Sequence, residues 1–197
     1  MPFDNIQTSK LNSLEIYFSS VGFSESEVKS ITQCFQKRTF DKGEFFVSEG
    51  SYTSEIGYLE FGQFQFYSTN QQGDERTNYI SLPNTFVASL LSYLTEKPAR
   101  ENVKAINPSC LWVITKKDIL SLQEEIASFK DFYIQLIEYQ LCCIDKAKFD
   151  LITLTAEQRY KQLMQEEPEF LQQVPLQYIA SMLGMTPRHL SRLRAKI

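Results

Sequence analysis

The sequence predicts an α+β fold. An antiparallel β-roll of the jelly-roll type is preceded by helices and followed by a long helix and a C-terminal helix-turn-helix. This prediction rests on two changes in the periodicity of hydrophobic residues along the chain. Helical spacing runs over residues 9–38, short alternating runs with turn residues fill 39–115, and helical spacing returns from Lys116. With 197 residues, 43% hydrophobic and 22% charged, the chain is expected to form one large domain or two small ones.

The N-terminal helical stretch and the strands after it are predicted from local patterns. Ser24 followed by Glu25 and Glu27 is typical of a helix start, because acidic residues stabilise the first turn. Residues 86–94 are apolar without alternation, which predicts a short helix inserted into the β region. Strands are predicted at residues 44–47, 55–62, 63–67, 76–82, 103–106 and 110–114.

A long helix over residues 128–152 is predicted to be apolar on two faces, so it needs two packing partners. One face carries Phe129, Phe132, Leu136, Tyr139 and Cys143. The other, here called the dimer stripe, carries Ile134, Ile137, Leu141, Ile144 and Leu151 and is interrupted by Lys148. Its alternating three- and four-residue spacing over several turns favours pairing with a second copy of the chain. The alternative, a helix wedged between two domains of one chain, stays open.

The last 22 residues contain the pattern of a helix-turn-helix. Ala180 provides the small residue where two helices cross, and Gly184, four residues later, suits the positive φ of the turn. Thr186 and Pro187 are a typical cap and first residue of the second helix. The inward positions are predicted to be apolar: Ile179, Leu183, Met185, Leu190 and Leu193.

Charge separates this segment from the rest of the chain. The net charge is −4, but residues 176–197 hold four Arg and Lys residues and no Asp or Glu, so residues 1–175 carry 16 basic against 24 acidic residues, or −8. A basic tip on an acidic body favours a local anionic partner, and we predict double-stranded DNA. The predicted DNA-binding residues are Thr186, Arg188, His189, Ser191, Arg192, Arg194 and Lys196.

Other functional classes lack their usual residues. His189 is the single histidine and the four cysteines have no C-x-x-C spacing, so we expect no metal centre, no cofactor and no enzymatic activity. A cupin-like enzyme would need metal-binding histidines, and nothing resembles a nucleophile–base pair. We expect no membrane span and no secretory signal, and reduced cysteines fit a cytoplasmic protein.

The order of parts resembles the Crp/Fnr family of bacterial transcription regulators over nearly the whole chain. Residues 42–50 resemble the opening strands of the family, 86–94 the short helix of its phosphate-binding cassette, and 190–194 its recognition helix. The resemblance implies a cyclic-nucleotide-binding-like sensory β-roll, a homodimer, DNA binding, and RNA polymerase as a further candidate partner.

The same resemblance marks a candidate ligand pocket at Ser89, Leu90, Arg100 and Glu101. Members that bind cyclic AMP carry a Glu for the ribose hydroxyl, and Ser89 stands in its place here. Arg100 matches their phosphate-binding Arg only with a register slip of one residue, and Glu101 beside it would oppose an anion. We therefore expect no cyclic AMP binding, and leave open an unknown small-molecule effector or none.

These observations predict a homodimeric, sequence-specific DNA-binding transcription regulator. We expect a sensory β-roll domain at residues 1–127, a dimerisation helix at 128–153 and a helix-turn-helix domain at 154–197. Two alternatives stay open: an interaction module that does not bind DNA, and a constitutive regulator without an effector.

Overall fold

The computed structural model describes residues 11–195. Nine helices and eight strands form in this range. The helices are α1 (Ser13–Ser20), α2 (Glu25–Gln33), α3 (Leu90–Thr95), α4 (Lys116–Glu125), α5 (Ala127–Thr153), α6 (Ala156–Glu166), α7 (Pro168–Gln173), α8 (Leu176–Leu183) and α9 (Pro187–Arg194). The strands are β1 (Gln36–Phe40), β2 (Phe45–Val47), β3 (Glu55–Phe61), β4 (Phe64–Thr69), β5 (Glu75–Ser81), β6 (Phe86–Val87), β7 (Asn102–Ala105) and β8 (Ser109–Thr115).

The strands form two antiparallel four-stranded sheets, in the orders β1-β8-β3-β6 and β2-β7-β4-β5. Each sheet turns one face inward, as in a β-roll. The two inner faces are joined by a core that includes Phe40, Phe64 and Leu111. In the second sheet β5 is an edge strand, which determines where the C-terminal helices pack.

Two further cores flank this roll. The first joins α1, α2 and α5 to the outer side of the β1-β8-β3-β6 sheet through residues such as Phe18, Tyr58 and Phe129. The second belongs to the C-terminal helices but also includes Ile80 and Ile106 of the roll. The C-terminal helices therefore pack against the roll. None of the helices in the described range is long and apolar enough to cross a membrane.

Helix caps account for several element boundaries. Asn12, Ser24 and Thr155 each accept a hydrogen bond from the third residue of their helix, whose Glu or Gln side chain accepts in return from the cap's own N–H. The predicted helix start at Ser24 is confirmed. The long helix is one residue longer at each end than predicted.

Two sequence predictions are wrong. The helical stretch predicted over residues 9–38 extends too far, because residues 36–38 belong to strand β1 and pair with β8. Residues 9 and 10 of that stretch lie outside the described range. The helix expected at 86–94 begins only at Leu90. Phe86 and Val87 instead form β6, because they pair with Tyr58 and Gly57 of β3.

Candidate nucleic-acid interface

A tight turn joins α8 to α9. Gly184 ends α8 with φ +72°, a conformation that an L side chain would strain. The Met185 N–H donates to the Ala180 carbonyl at 2.8 Å, and the Gly184 N–H donates to the Ser181 carbonyl at 3.0 Å. These bonds satisfy carbonyls that the end of the helix would otherwise leave without partners. The glycine predicted at the turn is therefore where the backbone requires it.

The start of α9 is capped as its sequence predicts. The Thr186 hydroxyl accepts the His189 N–H at 3.2 Å, and Pro187 occupies the first helical position. The inward residues of both helices are buried together with Tyr160 and Phe170 from α6 and α7. Of the five predicted inward residues, Met185 is partly buried. The other four are buried: Ile179, Leu183, Leu190 and Leu193.

The opposite face of α9 is exposed and cationic. Arg188, His189 and Arg192 are exposed along it, together with the hydroxyls of Thr186 and Ser191. Among the described residues of α9 and its cap, no acidic side chain offsets these charges. This surface carries donors of the kind that contact phosphates and base edges.

Arg194 and Lys196 stand apart from this set. Arg194 is half-buried, and its Nε donates to the Tyr160 hydroxyl at 3.1 Å. This bond orients the guanidinium against α6. Lys196 lies outside the described residues.

One carboxylate lies next to the cationic face. Glu157, near the start of α6, places Oε1 3.6 Å from Nε2 of His189, and both side chains are more than half exposed. An exposed pair of this kind contributes little to stability. The pair puts one carboxylate beside the exposed face of α9. No local pattern predicts this pair, because 32 residues separate its members.

Helix α8 is docked on the edge strand β5. The Thr77 N–H donates to the Ser181 hydroxyl at 3.1 Å, and that hydroxyl lies 3.4 Å from the Glu75 carbonyl oxygen, to which it donates. Nearby, Nε2 of Gln63 donates to the Gln173 carbonyl at 3.0 Å. These contacts hold the C-terminal helices on the roll from the side of α8 and leave the outward face of α9 in solvent.

The two apolar faces of α5 have different surroundings. Phe129 is buried in the first core, and Phe132, Leu136 and Cys143 are half-buried, whereas Tyr139 is exposed. The dimer stripe is largely open to solvent. Leu141 is 65% exposed and Leu151 63%, Ile134 and Ile144 are also exposed, and Ile137 is half-buried. In the described part of the chain, the stripe therefore lies uncovered along a 27-residue helix.

The interior of the roll is filled with aromatic side chains. The Phe40 and Phe64 rings meet edge to face with centroids 5.2 Å apart, and Phe46 packs against both. Phe66 is also buried in this core. Edge-to-face packing of this kind stabilises a core beyond the area that it buries.

The candidate ligand-pocket residues are only partly brought together. The fully buried Ser89 donates its hydroxyl to Oε1 of Glu101 at 3.2 Å. Burial raises the pKa of Glu101, opposed by hydrogen bonds from Ser89 and Asn78. Leu90 begins α3 half-buried, and Arg100 is exposed with its carbonyl accepting from Ser68. The carboxylate, rather than the Arg side chain, therefore lies against Ser89. Among the described residues, no group of three His, Cys, Asp or Glu residues could hold a metal ion.

The sheet topology, with the α3 segment between β6 and β7, agrees with a sequence match. Residues 37–125 match the model of the cyclic nucleotide-binding domain family. This segment is therefore similar to the cyclic nucleotide-binding domains of that family. The matched segment begins in β1 and ends with α4, so it contains both sheets but neither α5 nor the C-terminal helices.

Solved structures extend the likeness beyond the cyclic nucleotide-binding domain. A CooA mutant from Carboxydothermus hydrogenoformans has a TM-score of 0.70 at 16% identity, covering 95% of this chain and 84% of that one. The c-di-GMP-responsive global regulator CLP of Xanthomonas campestris has a TM-score of 0.67 at 14% identity, covering 88% and 91%. The Thermus thermophilus catabolite activator protein has a TM-score of 0.58 at 19% identity, covering 89% and 84%.

These neighbours are Crp/Fnr-type regulators, and they confirm at the level of the fold the resemblance predicted from the sequence. Among the curated proteins, none matches this sequence. At these identities the likeness shows the architecture, so what the C-terminal helices bind has to be argued from their own residues.

Proposed function

We propose that this chain is a sequence-specific DNA-binding transcription regulator that acts as a homodimer. One observation carries the proposal: the outward face of α9 is exposed and cationic while its inward face is buried against α8 and α6. A cationic helix seated on a small helical core, with its charged side in solvent, fits the width of a DNA major groove.

In this proposal α8, the Gly184 turn and α9 form a helix-turn-helix, with α9 as the recognition helix. Arg188, His189, Ser191 and Arg192 are assigned to base edges, since they occupy the exposed side of the first turns. Thr186, Arg194 and Lys196 are assigned to phosphates. The Tyr160 bond supports this role for Arg194, because it orients the guanidinium without occupying its terminal amino groups.

Dimerisation is proposed to use the dimer stripe of α5. Apolar side chains as large as Leu141 and Leu151 are seldom left uncovered in a continuous row, and their spacing is that of a coiled coil. Pairing of two α5 helices would place two copies of α9 on successive major grooves, about 34 Å apart. Residues 1–127, 128–153 and 154–197 are then the roll, dimerisation and DNA-binding parts.

The roll is proposed not to bind cyclic AMP. Phe40, Phe64 and Phe66 fill its interior. The Glu101 carboxylate, next in the chain to Arg100, lies against Ser89 and would oppose an anion brought to Arg100. A signal that enters such a regulator through the roll would therefore differ chemically from cyclic AMP.

Selection of DNA from a random pool tests the proposal directly. The full-length chain is expected to enrich a two-fold symmetric sequence with half-sites about one helical turn apart. Bound fragments should shift in a gel as complexes with two copies of the chain, with affinity falling steeply as salt rises. Failure to enrich any sequence would contradict the proposal. If the chain also captured a protein in a pull-down, the alternative of an interaction module would be favoured.

A further inference from the structure

A groove outside the roll runs between the corner that joins α1 to α2 and one face of α5. Its volume is about 410 Å³, within the range of about 300–1,000 Å³ that is usual for small-molecule sites. Val21 and Phe23 form the corner, and Phe132 and Tyr139 lie on the α5 side. None of the residues proposed above for DNA, dimer or roll function lines it.

The groove stays accessible when two chains pair through α5. Its α5 residues, which include Asp131 and Gln135, share no member with the dimer stripe. Asp131 and Gln135 lie about 60° and 100° around the helix from Ile134, whereas most of the stripe lies on the other side of Ile134. A ligand in the groove would contact the N-terminal helices and α5 at once.

The lining combines aromatic rings with negative charge. Tyr17, Phe23, Phe132 and Tyr139 contribute rings, with the Phe23 and Phe132 centroids 5.7 Å apart and those of Tyr17 and Phe132 6.2 Å apart. Asp131 is exposed in the wall, and no Lys, Arg or His is present among the described residues that line the groove. Ring faces and carboxylates both attract cations.

A second carboxylate extends the negative charge at one end. The hydroxyl of Ser128, in the groove wall, donates to Oε1 of Glu27 at 2.7 Å. Hydrogen bonds from Ser24 and Ser128 lower the pKa of Glu27, so this carboxylate is ionised at neutral pH. A ligand that buries an apolar body on the rings would therefore place a positive charge near Asp131 at lower cost than a negative one.

We propose that this groove is a binding site for a hydrophobic organic cation, with a flat aromatic or alkyl body and an amine, quaternary ammonium or delocalised positive charge. The apolar body packs on Phe23, Phe132 and Tyr139. The charge faces Asp131. The proposal does not depend on DNA binding, because the site and its test involve no DNA.

Equilibrium dialysis of the full-length chain against a matched pair of probes tests the site. Thioflavin T is a flat aromatic cation, and its benzothiazole analogue without the ring N-methyl group has nearly the same shape and no charge. We expect one thioflavin T per chain, bound roughly tenfold more tightly than the neutral analogue. Asp131→Asn should remove most of that preference, and Val21→Trp, which fills the groove, should reduce binding of both probes.

The control is Asp145→Asn, which removes an exposed carboxylate from the same helix outside the groove. It should leave binding unchanged. Equal affinity for the two probes, or a cation preference that survives Asp131→Asn, would overturn the proposal. So would absence of binding of either probe to the intact chain.

Discussion

Ser181 of α8 is bonded to the backbone of Thr77 in β5, with the Thr77 N–H donating to its hydroxyl at 3.1 Å. The same hydroxyl lies 3.4 Å from the Glu75 carbonyl, so one side chain serves both a donor and an acceptor of an edge strand. The position of α9 relative to the roll is therefore fixed through α8 as well as through α5 and α6. A shift in the position of β5 would therefore displace α8, the helix that precedes α9.

Replacing Ser181 with Ala tests this contact. The Thr77 N–H would lose its partner, and a hydrogen bond of this kind contributes about 0.5–1.5 kcal/mol to the free energy of unfolding. Ser121→Ala is the matched control, since Ser121 is exposed on α4 and gains the same helix propensity. Urea unfolding should show Ser181→Ala to be less stable than the control by about 1 kcal/mol. Equal stabilities would mean that the contact contributes nothing.

Replacing Gly184 with Ala tests the turn. A Cβ at this position meets no atom within 4 Å, so the cost comes from the backbone at φ +72° and not from a clash. We expect a loss of about 1–2 kcal/mol in the free energy of unfolding, measured by urea titration. Gly184→Asn should lose less, because Asn tolerates the left-handed region. If Asn were as costly as Ala, backbone strain would not be the cause.

Arg192→Ala is expected to weaken binding to the selected DNA. If Arg192 contacts a guanine, the loss at fixed salt is about 1–3 kcal/mol and specificity at that base pair relaxes. Lys117→Ala serves as the control, because it removes one exposed cation from α4, which packs on β8 and α5. Titrations followed by fluorescence anisotropy measure both variants. An unchanged affinity in Arg192→Ala would exclude this role.

Leu141→Glu is expected to convert the proposed dimer to a monomer. The substitution puts a charge in the middle of the dimer stripe, where pairing would bury it without a partner. Because Leu141 is 65% exposed in the single chain, the fold of the monomer should be retained. Leu120→Glu, on an exposed position of α4, is the control. Sedimentation velocity should give a dimer for the wild type and the control; a dimeric Leu141→Glu would place the interface elsewhere.

The pH dependence of stability tests the environment of Glu101. Burial raises the pKa of this carboxyl above its ordinary value of 4.5 in the folded state. The folded state therefore holds the proton more tightly, and the corresponding stability, present below about pH 4.5, is lost as pH rises through the folded pKa. Glu101→Gln keeps an acceptor for Ser89 but has no charge to ionise.

The stability of Glu101→Gln relative to the wild type should therefore increase as pH rises above 4.5. Glu124→Gln, at an exposed position of α4, should show no such trend. Thermal unfolding of the wild type and the two variants, measured at a series of pH values from 4.5 upward, provides the comparison. A constant difference between Glu101→Gln and the wild type would indicate that the carboxyl titrates as it does in water.

The sequence predicts those parts of the fold that depend on local chemistry. The boundaries of α8 follow from Pro175 before it and Gly184 after it, and α9 starts after its predicted cap at Thr186. Strand β1 was missed because four of its five residues are exposed, which removes the alternation that identifies a strand. Its pairing with β8, some 70 residues away, determines its conformation.

In the candidate interface too, some features are predicted from local sequence and others depend on contacts between distant residues. Exposure of Arg188 and Arg192 follows from helical periodicity once Leu190 and Leu193 are assigned inward. The bonds from Arg194 to Tyr160 and from Ser89 to Glu101 join residues that no local pattern relates. Docking of α8 on β5 likewise depends on the tertiary arrangement, because Ser181 and Thr77 are 104 residues apart.

The cover that α8 places over β5 has a consequence for shortened forms of the chain. An uncovered edge strand is a template on which another molecule can add its own strand. A fragment ending after α5 would expose the backbone of β5 and the apolar surface of Ile80 together. Such a fragment is expected to self-associate through its sheets. Aggregation of the isolated roll would then reflect the loss of the α8 cover over β5 and not an unstable core.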